Sequence, residues 1–457
     1  MQRLAVLALL AGLFSTVFLC ASVSAESLII SDVNVVDVVE GKVIRDAAIV
    51  VIEDEITFVG PLADAAFPQG IRQIDGDGRW AIPGLWDMHV HVAMATRGAM
   101  PVLIANGVTH VRDMGGNWED IRNIQNEIRL GTVVGPHVLT CGPILESVRW
   151  LTRAEEFLSE HELEGRIGVS DATTANDAIA GLAADGADFV KIRTVQNGET
   201  YAAISEAAQQ HGLPFAGHAP PAAVSLVEAS EMGQRSIEHY VSAPGIKRLP
   251  ENLAPALEVF SENGTHFVPT LVSAYGFRIK PTEDVLAIID DESDTLDPRR
   301  KYVPNEVLAS WRQQMEMKQS ERVRFDYVQI HQRNVELFRE MHNAGVALMI
   351  GTDLGAPFVF PGFSFHDELA IMVDEVKLSS MDAIRAATII PARFSGQDAM
   401  YGAIQVGRAA DFLLVDRNPL ENIRNLGDLF GVFHRGEWLD NAEIAQLLQR
   451  ASMERAD

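Results

Sequence analysis

Cysteine is almost missing from this chain: its 457 residues hold two, Cys20 and Cys141. Basic residues are scarce as well, 37 Lys and Arg against 63 Asp and Glu, for a formal charge of −26. The first shortage excludes a disulfide scaffold, so a core or a metal must hold the protein together. The second disfavours nucleic acid as a partner, because phosphate binding needs a basic face. No internal repeat or low-complexity tract competes with a globular reading. Hydrophobic residues reach 47%, enough to exclude disorder over most of the length and to build one large domain with a smaller one beside it.

The chain opens with Met1-Gln2-Arg3, an apolar run from Leu4 to Ala21, and the small-residue pattern Val23-Ser24-Ala25. This reads as a secretory signal over residues 1–25, which implies export to the periplasm or beyond the cell. A retained anchor is the other reading, since the run is nearly long enough to span a membrane. Leu19 stands where a small residue would precede a lipid-bearing cysteine. Cleavage would leave Cys141 alone, with no intramolecular disulfide and no membrane attachment.

From Ser27 to Gly60, short β-branched runs broken by Glu-Gly and Glu-Asp read as strand hairpins. Similar texture returns in "GAIQVGRAADFLLVDRN" and "GVFHRGEWLD". Between about Pro83 and Gln397 lie eight apolar strand-like runs: "LWDMHVH", "VTHVRD", "HVLTC", "DFVKIR", "PFAGH", "RSIEH", "FVPTL" and "VALMIGTD". Amphipathic helices such as "TYAAISEAAQQHG" and "AVSLVEASEMGQ" separate them. This alternation predicts an α/β protein built on a (β/α)8 TIM-type barrel. The expected organisation is a signal at 1–25, β elements at 26–82, the barrel at 83–399, and further β elements with a closing helix at 400–457. The connection from about 273 to 345 is longer than barrel loops usually are. It reads equally as a lid over the carboxyl ends of the strands, or as a surface decoration or a contact in a homo-oligomer.

In "GLWDMHVHV", His89 and His91 stand two residues apart on a strand and therefore face the same way. They are either ligands of one metal ion or hydrogen-bonded core histidines. Barrel enzymes collect their chemistry at the carboxyl ends of the strands. There the runs carry His89 and His91, Lys191 inside "DFVKIR", His218, His239, and Asp353 of "GTD". Ionisable groups in a barrel interior must be paired or liganded, so this set points to a metal site. The other reading of Lys191 is an ion pair with Asp188 or Asp353. Arg193 shares the strand parity of Lys191 and is read either as a binder of a substrate carboxylate or as a loop salt bridge. Tyr240 follows His239 and could donate to a developing oxyanion, although parity points it away. His366 reads as an end-of-helix residue. His110, His137, His211 and His342 read as single core or surface residues, and Met315 and Met317 as helix packing.

In their order, "HVH", "VKI", "GHAP", "SIEH" and "GTD", with the "PGLWD" entry and the closing "GRAADFLLVDRNPL", this sequence resembles the metal-dependent amidohydrolase superfamily, near imidazolonepropionase-related hydrolases and Xaa-Pro dipeptidases. The likeness covers nearly all of the mature chain. It implies a small β-sandwich built from both chain ends and two divalent ions, zinc being expected from imidazole donors. It also implies that His89, His91 and Asp353 hold one ion and that His218 and His239 hold the other. Lys191, carboxylated by carbon dioxide, would bridge them. A hydroxide shared by the metals would attack the carbonyl, with Asp353 as general base and then general acid.

The expected activity is hydrolysis of an amide-type C–N bond in a small amide, a cyclic amide or a dipeptide. A lactone or ester hydrolase on the same centre is the alternative within enzymes, and a non-catalytic metal-binding barrel the alternative outside them. Dipeptidase relatives carry a second histidine and a glycine after the strand-five ligand. This chain reads His218-Ala219-Pro220-Pro221 instead, a departure that counts against an Xaa-Pro substrate.

Overall fold

In the computed structural model, which describes residues 26–239, 249, 252–320 and 326–454, the two ends of the chain meet in one sheet. Residues 1–25, read from the sequence as a signal, and Tyr240 lie outside the described residues. The amino end contributes β1 (Leu28–Asp37), β2 (Lys42–Ile52), β3 (Glu55–Pro61) and β4 (Arg72–Pro83). Short strands follow: β5 (Leu85–Val90), β6 (Val108–Asp113), β7 (His137–Thr140), β8 (Ile144–Ser147) and β9 (Arg166–Val169). Next come β10 (Val190–Ile192), β11 (Phe215–Gly217), β12 (Gln234–Glu238) and β13 (His266–Val268). The carboxyl end adds β14 (Phe412–Val415), β15 (Leu429–His434) and β16 (Glu437–Asp440). Among the described residues no helix is long and apolar enough to cross a membrane.

The terminal sheet has seven strands in the order β16-β15-β14-β4-β1-β2-β3, with β1 and β4 parallel and the other pairs antiparallel. Alternation of side chains along these strands gives the sheet two apolar faces. Ile30, Val35, Ile49, Ala81, Phe412 and Trp438 share one cluster, while Ile82, Leu413, Val415 and Val432 turn the other way into the main core. Each such side chain, fully buried, contributes about 1.5–3 kcal/mol.

The remaining strands pair in parallel, as β5-β6-β7 and as β13-β12-β11-β10-β8-β9. Seven of the eight expected runs thus contain a strand, and the eighth, "VALMIGTD", differs. It carries an isolated bridge at Leu348 to Phe267, yet its backbone bonds to both neighbours. Met349 N–H donates to Phe267 O at 2.9 Å, and Met88 N–H donates to Ile350 O at 2.9 Å. The parallel pair β8 and β9 was not expected; it lies in the stretch between the third and fourth runs.

Helices form where capping and periodicity agree. Asp171 accepts Thr174 N–H at 2.9 Å to start Ala172–Asp185, and Gly186 ends it in the left-handed region. Asn197 does the same for Gly198–Gln210, which covers the expected "TYAAISEAAQQHG". Ser225 and Glu228 form a capping box for Leu226–Glu231. The long connection is helical at Leu271–Ala274, Thr282–Asp290, Asn305–Ser320 and Tyr327–Asn343. It has a small core of its own, in which Trp311 and Met315 are buried against Phe360 while Met317 is exposed.

Close approach is required at Gly217, the last residue of β11, whose φ is +136°. A Cβ there would stand 2.0 Å from the carbonyl oxygen of Ile192, on the strand that carries Lys191. Gly217→Ala is therefore expected to lower unfolding free energy by roughly 2–4 kcal/mol. Denaturant titration would read this as a lower midpoint at unchanged slope; an unchanged midpoint would show that the two strands separate freely.

Candidate metal centre

Three histidines near Asp353 each have their Nδ1 occupied. His89, buried near the end of β5, places Nδ1 2.8 Å from Glu238 Oε2. His91, just past the strand, places Nδ1 2.7 Å from Gly115 O. His239, just past β12, places Nδ1 2.8 Å from Thr270 Oγ1. A carbonyl and a carboxylate only accept, so the first two rings carry their proton on Nδ1 and present a lone pair at Nε2. Those two Nε2 atoms lie 3.5 Å and 3.7 Å from the same oxygen, Asp353 Oδ1. The His239 ring lies 4.5 Å from that of His89 and 4.8 Å from that of His218.

Local backbone conformation does much of the placing. His239, Thr270 and Asp353 have φ of +65°, +47° and +65°, a region that costs a non-glycine residue of order 1–3 kcal/mol and persists where surroundings enforce it. For Asp353, the enforcement is its N–H bond to His89 O at 2.7 Å. For Thr270, it is Glu368, whose buried carboxylate accepts the N–H groups of Leu271 and Val272 at 3.0 Å and 2.6 Å. Burial pushes the Glu368 carboxyl up to about 8.

Lys191 lies at the centre of β10, fully buried, and among the described residues its Nζ has no hydrogen-bond partner. Among the described residues Lys191 Nζ is bonded neither to Asp188, whose carboxylate accepts the Thr140 N–H at 2.8 Å, nor to Asp353. Burial, the leading cause, pulls the Lys191 ammonium down to about 8. Burial and then the Lys191 charge lower His91 to about 3 and hold His89, His218 and His239 well below the ordinary imidazole range. The Asp353 carboxyl is raised by burial to about 7. Four neutral imidazoles and a carboxylate, gathered about a buried lysine, form a donor set suited to divalent transition ions. His89, His239 and Asp353 each offer one ligand atom within 4.8 Å of the others. His89 Nε2 and Lys191 Nζ are buried polar atoms without a partner, which fits a role toward an ion.

Sequence reasoning missed the residues behind the ligands. Glu238 is buried, bonded by its second oxygen to Arg112 at 2.8 Å and to Ser236 at 2.5 Å. Arg112 in turn donates to Met88 O at 2.8 Å. The signal was present in "SIEH", where a carboxylate precedes the histidine, but a lone glutamate next to a ligand carries no geometric mark. Since Glu238 fixes the His89 ring, Glu238→Gln is expected to weaken the affinity of this candidate site for an added divalent ion by about 10–100-fold. Competition with a chromophoric chelator would measure this, and an unchanged affinity would leave Glu238 as a partner of Arg112 alone.

Arg193 donates to Glu146 Oε1 at 2.8 Å, as does Arg166 at 2.7 Å, and both guanidiniums flank the Trp150 ring. The Arg193 side chain remains 33% exposed. His366 is half-buried, with Nε2 3.0 Å from Asn106 O, and does not belong to the group around Asp353. His110 and His137 correct the expectation of single histidines: their rings stack at 4.6 Å because they are partners in the β6–β7 register.

Comparison with known proteins agrees with this architecture. The chain is 24% identical over 431 residues to the ochratoxinase of Aspergillus niger, covering 86% of this chain and 82% of that protein. It is 24% identical over 394 residues to the imidazolonepropionase of Pseudomonas aeruginosa, covering 82% and 88%. Among solved structures, a Xaa-Pro dipeptidase with methionine bound in its active site superposes with a TM-score of 0.68 at 20% identity, over 91% of this chain and all of that one; this is a likeness of fold. The amidohydrolase family profile matches residues 80–439, and the chain belongs to the amidohydrolase family.

Proposed function

We propose that the protein is a binuclear metal-dependent hydrolase that cleaves an amide-type C–N bond in a small amide, a cyclic amide or a dipeptide. The observation that carries this reading is the shared aim of His89 and His91, whose Nε2 atoms meet Asp353 while their Nδ1 atoms are committed elsewhere. In this account His89, His91 and Asp353 hold one divalent ion and His218 and His239 the other, with zinc expected. Lys191 bridges them as its carbamate. A free ammonium has no lone pair to give a cation. The lowered Lys191 pKa raises the share of neutral amine, whose nitrogen can bond to the carbon of carbon dioxide and release a proton.

The bound ions would supply a water acidic enough to act as nucleophile near neutral pH and would polarise the substrate carbonyl. Asp353 accepts the proton of that water as it attacks and returns it to the departing nitrogen, a task suited to a carboxyl raised toward neutrality. Arg193, braced on Glu146 and Trp150, takes a carboxylate of the substrate. The long connection from 273 to 345 acts as a lid; the Ser273 hydroxyl at its start donates to the carbonyl of Thr270, whose own hydroxyl holds His239. Export through residues 1–25 places the enzyme in the periplasm or outside the cell.

The fold belongs to the same proposal. The strands of the seven runs, β5, β6, β7 and β10 to β13, close into one eight-stranded barrel with 346–353 as the last stave, supported by its bonds to β13 and β5. The terminal sheet doubles over into a small sandwich, supported by the single cluster that draws on all seven of its strands. The zinc-loaded protein should be screened against N-acyl amino acids, cyclic amides, dipeptides and matched esters and lactones. The expected result is turnover of an amide, abolished by chelation and restored by zinc. Turnover of esters and lactones alone, or amide hydrolysis that survives exhaustive chelation, would overturn the reading.

A further inference from the structure

Where β5, β6 and β7 begin, a second group of imidazoles faces the terminal sheet. Trp86, His110 and His137 stack across three strands, with ring centroids 4.0 Å and 4.6 Å apart, and Tyr401 lies against both histidines at 4.6 Å and 5.3 Å. Asp411 meets them from the other side, one residue before β14, close enough to Gly84 that a Cβ on that glycine would strike its carboxylate. Trp86 precedes His89 by three residues on β5, so this group lies about 10 Å along the strand from the first one.

Its polar atoms are held in place. Asp411 Oδ1 accepts from the Thr109 hydroxyl at 2.5 Å, and Asp411 Oδ2 lies 2.7 Å from His434 Nδ1. The other His434 nitrogen is 3.2 Å from Gly135 O. His110 Nδ1 is 3.1 Å from Thr109 Oγ1, whereas His110 Nε2 is buried with no hydrogen-bond partner. His110 Nδ1 stands 3.9 Å from Asp411 Oδ1, too far for a hydrogen bond; because the Thr109 hydroxyl gives its one proton to Asp411, the ring donates from Nδ1 to Thr109 Oγ1 and carries its lone pair on Nε2. One ligand atom from each of His110, His137 and Asp411 lies within 4.8 Å of the others.

We propose that His110, His137 and Asp411 form a second metal site, for one zinc-like divalent ion, at the seam between the parallel strands and the terminal sheet. Two imidazoles and a carboxylate are a common zinc donor set, and His434 and Thr109 orient the carboxylate as outer partners of metal ligands do. Burial keeps His110 and His137 below the ordinary imidazole range, hence neutral and able to ligate. The ion would act as a staple, since His110 and His137 belong to the parallel strands and Asp411 to the terminal segment nearly three hundred residues later.

The test is a zinc titration of chelator-treated protein against a chromophoric competitor. Wild type is expected to bind about three ions per chain and His137→Gln about two, with amide turnover changed by less than about twofold. Lys191→Ala, which impairs only the first centre, should retain a cobalt visible band that Lys191→Ala/His137→Gln lacks. That comparison separates failure of this site from failure of the proposed catalytic centre. Anomalous scattering from wild-type crystals soaked in zinc needs no variant and should place a peak between His110 and Asp411. No such peak, with equal zinc binding by wild type and His137→Gln, would leave the cluster a hydrogen-bond network only.

Discussion

Lys191→Ala is expected to lose bound metal and amide turnover together. A cation at the reacting centre stabilises developing charge by several kcal/mol, and each ~1.36 kcal/mol is tenfold in rate, so a loss of about 4 kcal/mol means a fall of about 10³-fold. The buried Nζ without a partner is the structural reason. As an ammonium, Lys191 would repel the ions that the neighbouring imidazoles are placed to hold; as a carbamate it supplies anionic oxygen. Short carboxylic acids added to Lys191→Ala should restore part of both metal and activity by occupying the bridge. Lys191→Arg should fail like the alanine variant, because guanidinium stays cationic and offers no lone pair. Full activity in Lys191→Arg would show that the lysine is structural.

Asp353→Asn separates ligation from proton transfer. The asparagine keeps the shape and one oxygen facing His89 and His91, 3.5 Å and 3.7 Å from Asp353 Oδ1 in the wild type. It cannot titrate near neutral pH. Metal content should fall little while amide turnover falls by roughly 10²–10⁴-fold, the usual range for a positioned acid or base. The loss should be smaller for a matched nitrophenyl ester, whose leaving group needs no proton. Equal proportional losses on the two substrates, at unchanged metal content, would remove leaving-group protonation from the role of Asp353.

Much of the candidate centre was legible because its donors sit at the ends of apolar runs, where an ionisable side chain has no packing role. His89 and His91 could be placed by strand parity alone. His239 could not. Glu238 already faces inward to His89 and Arg112, so parity sends the next residue outward, and only its left-handed φ brings the imidazole back. Patterning holds no record of such a turn. Glu368 shows the same limit, because its link to the centre runs through two backbone N–H groups and Thr270, about one hundred residues earlier in the chain.

The fold divides on similar lines. Helices with an Asp, Asn or Ser cap, such as Ala172–Asp185 and Gly198–Gln210, announce themselves locally. The β8–β9 pair does not, since four-residue strands in parallel register depend on neighbours supplied by distant sequence. The seam of His110, His137 and Asp411 escaped for that reason. Its histidines look single in the sequence, and register across two strands and a return of the chain nearly three hundred residues later make them a cluster.

The central claim is that a binuclear ion site bridged by Lys191 performs the hydrolysis. Anomalous diffraction at the zinc edge, on crystals of protein purified without chelator and assayed as active on an amide, tests it most directly. Two peaks are expected among His89, His91, Lys191, His218, His239 and Asp353, about 3.5–4 Å apart, with carbamate density continuous from Lys191 Nζ. No peak within that set, in protein that still hydrolyses the amide, would contradict the account.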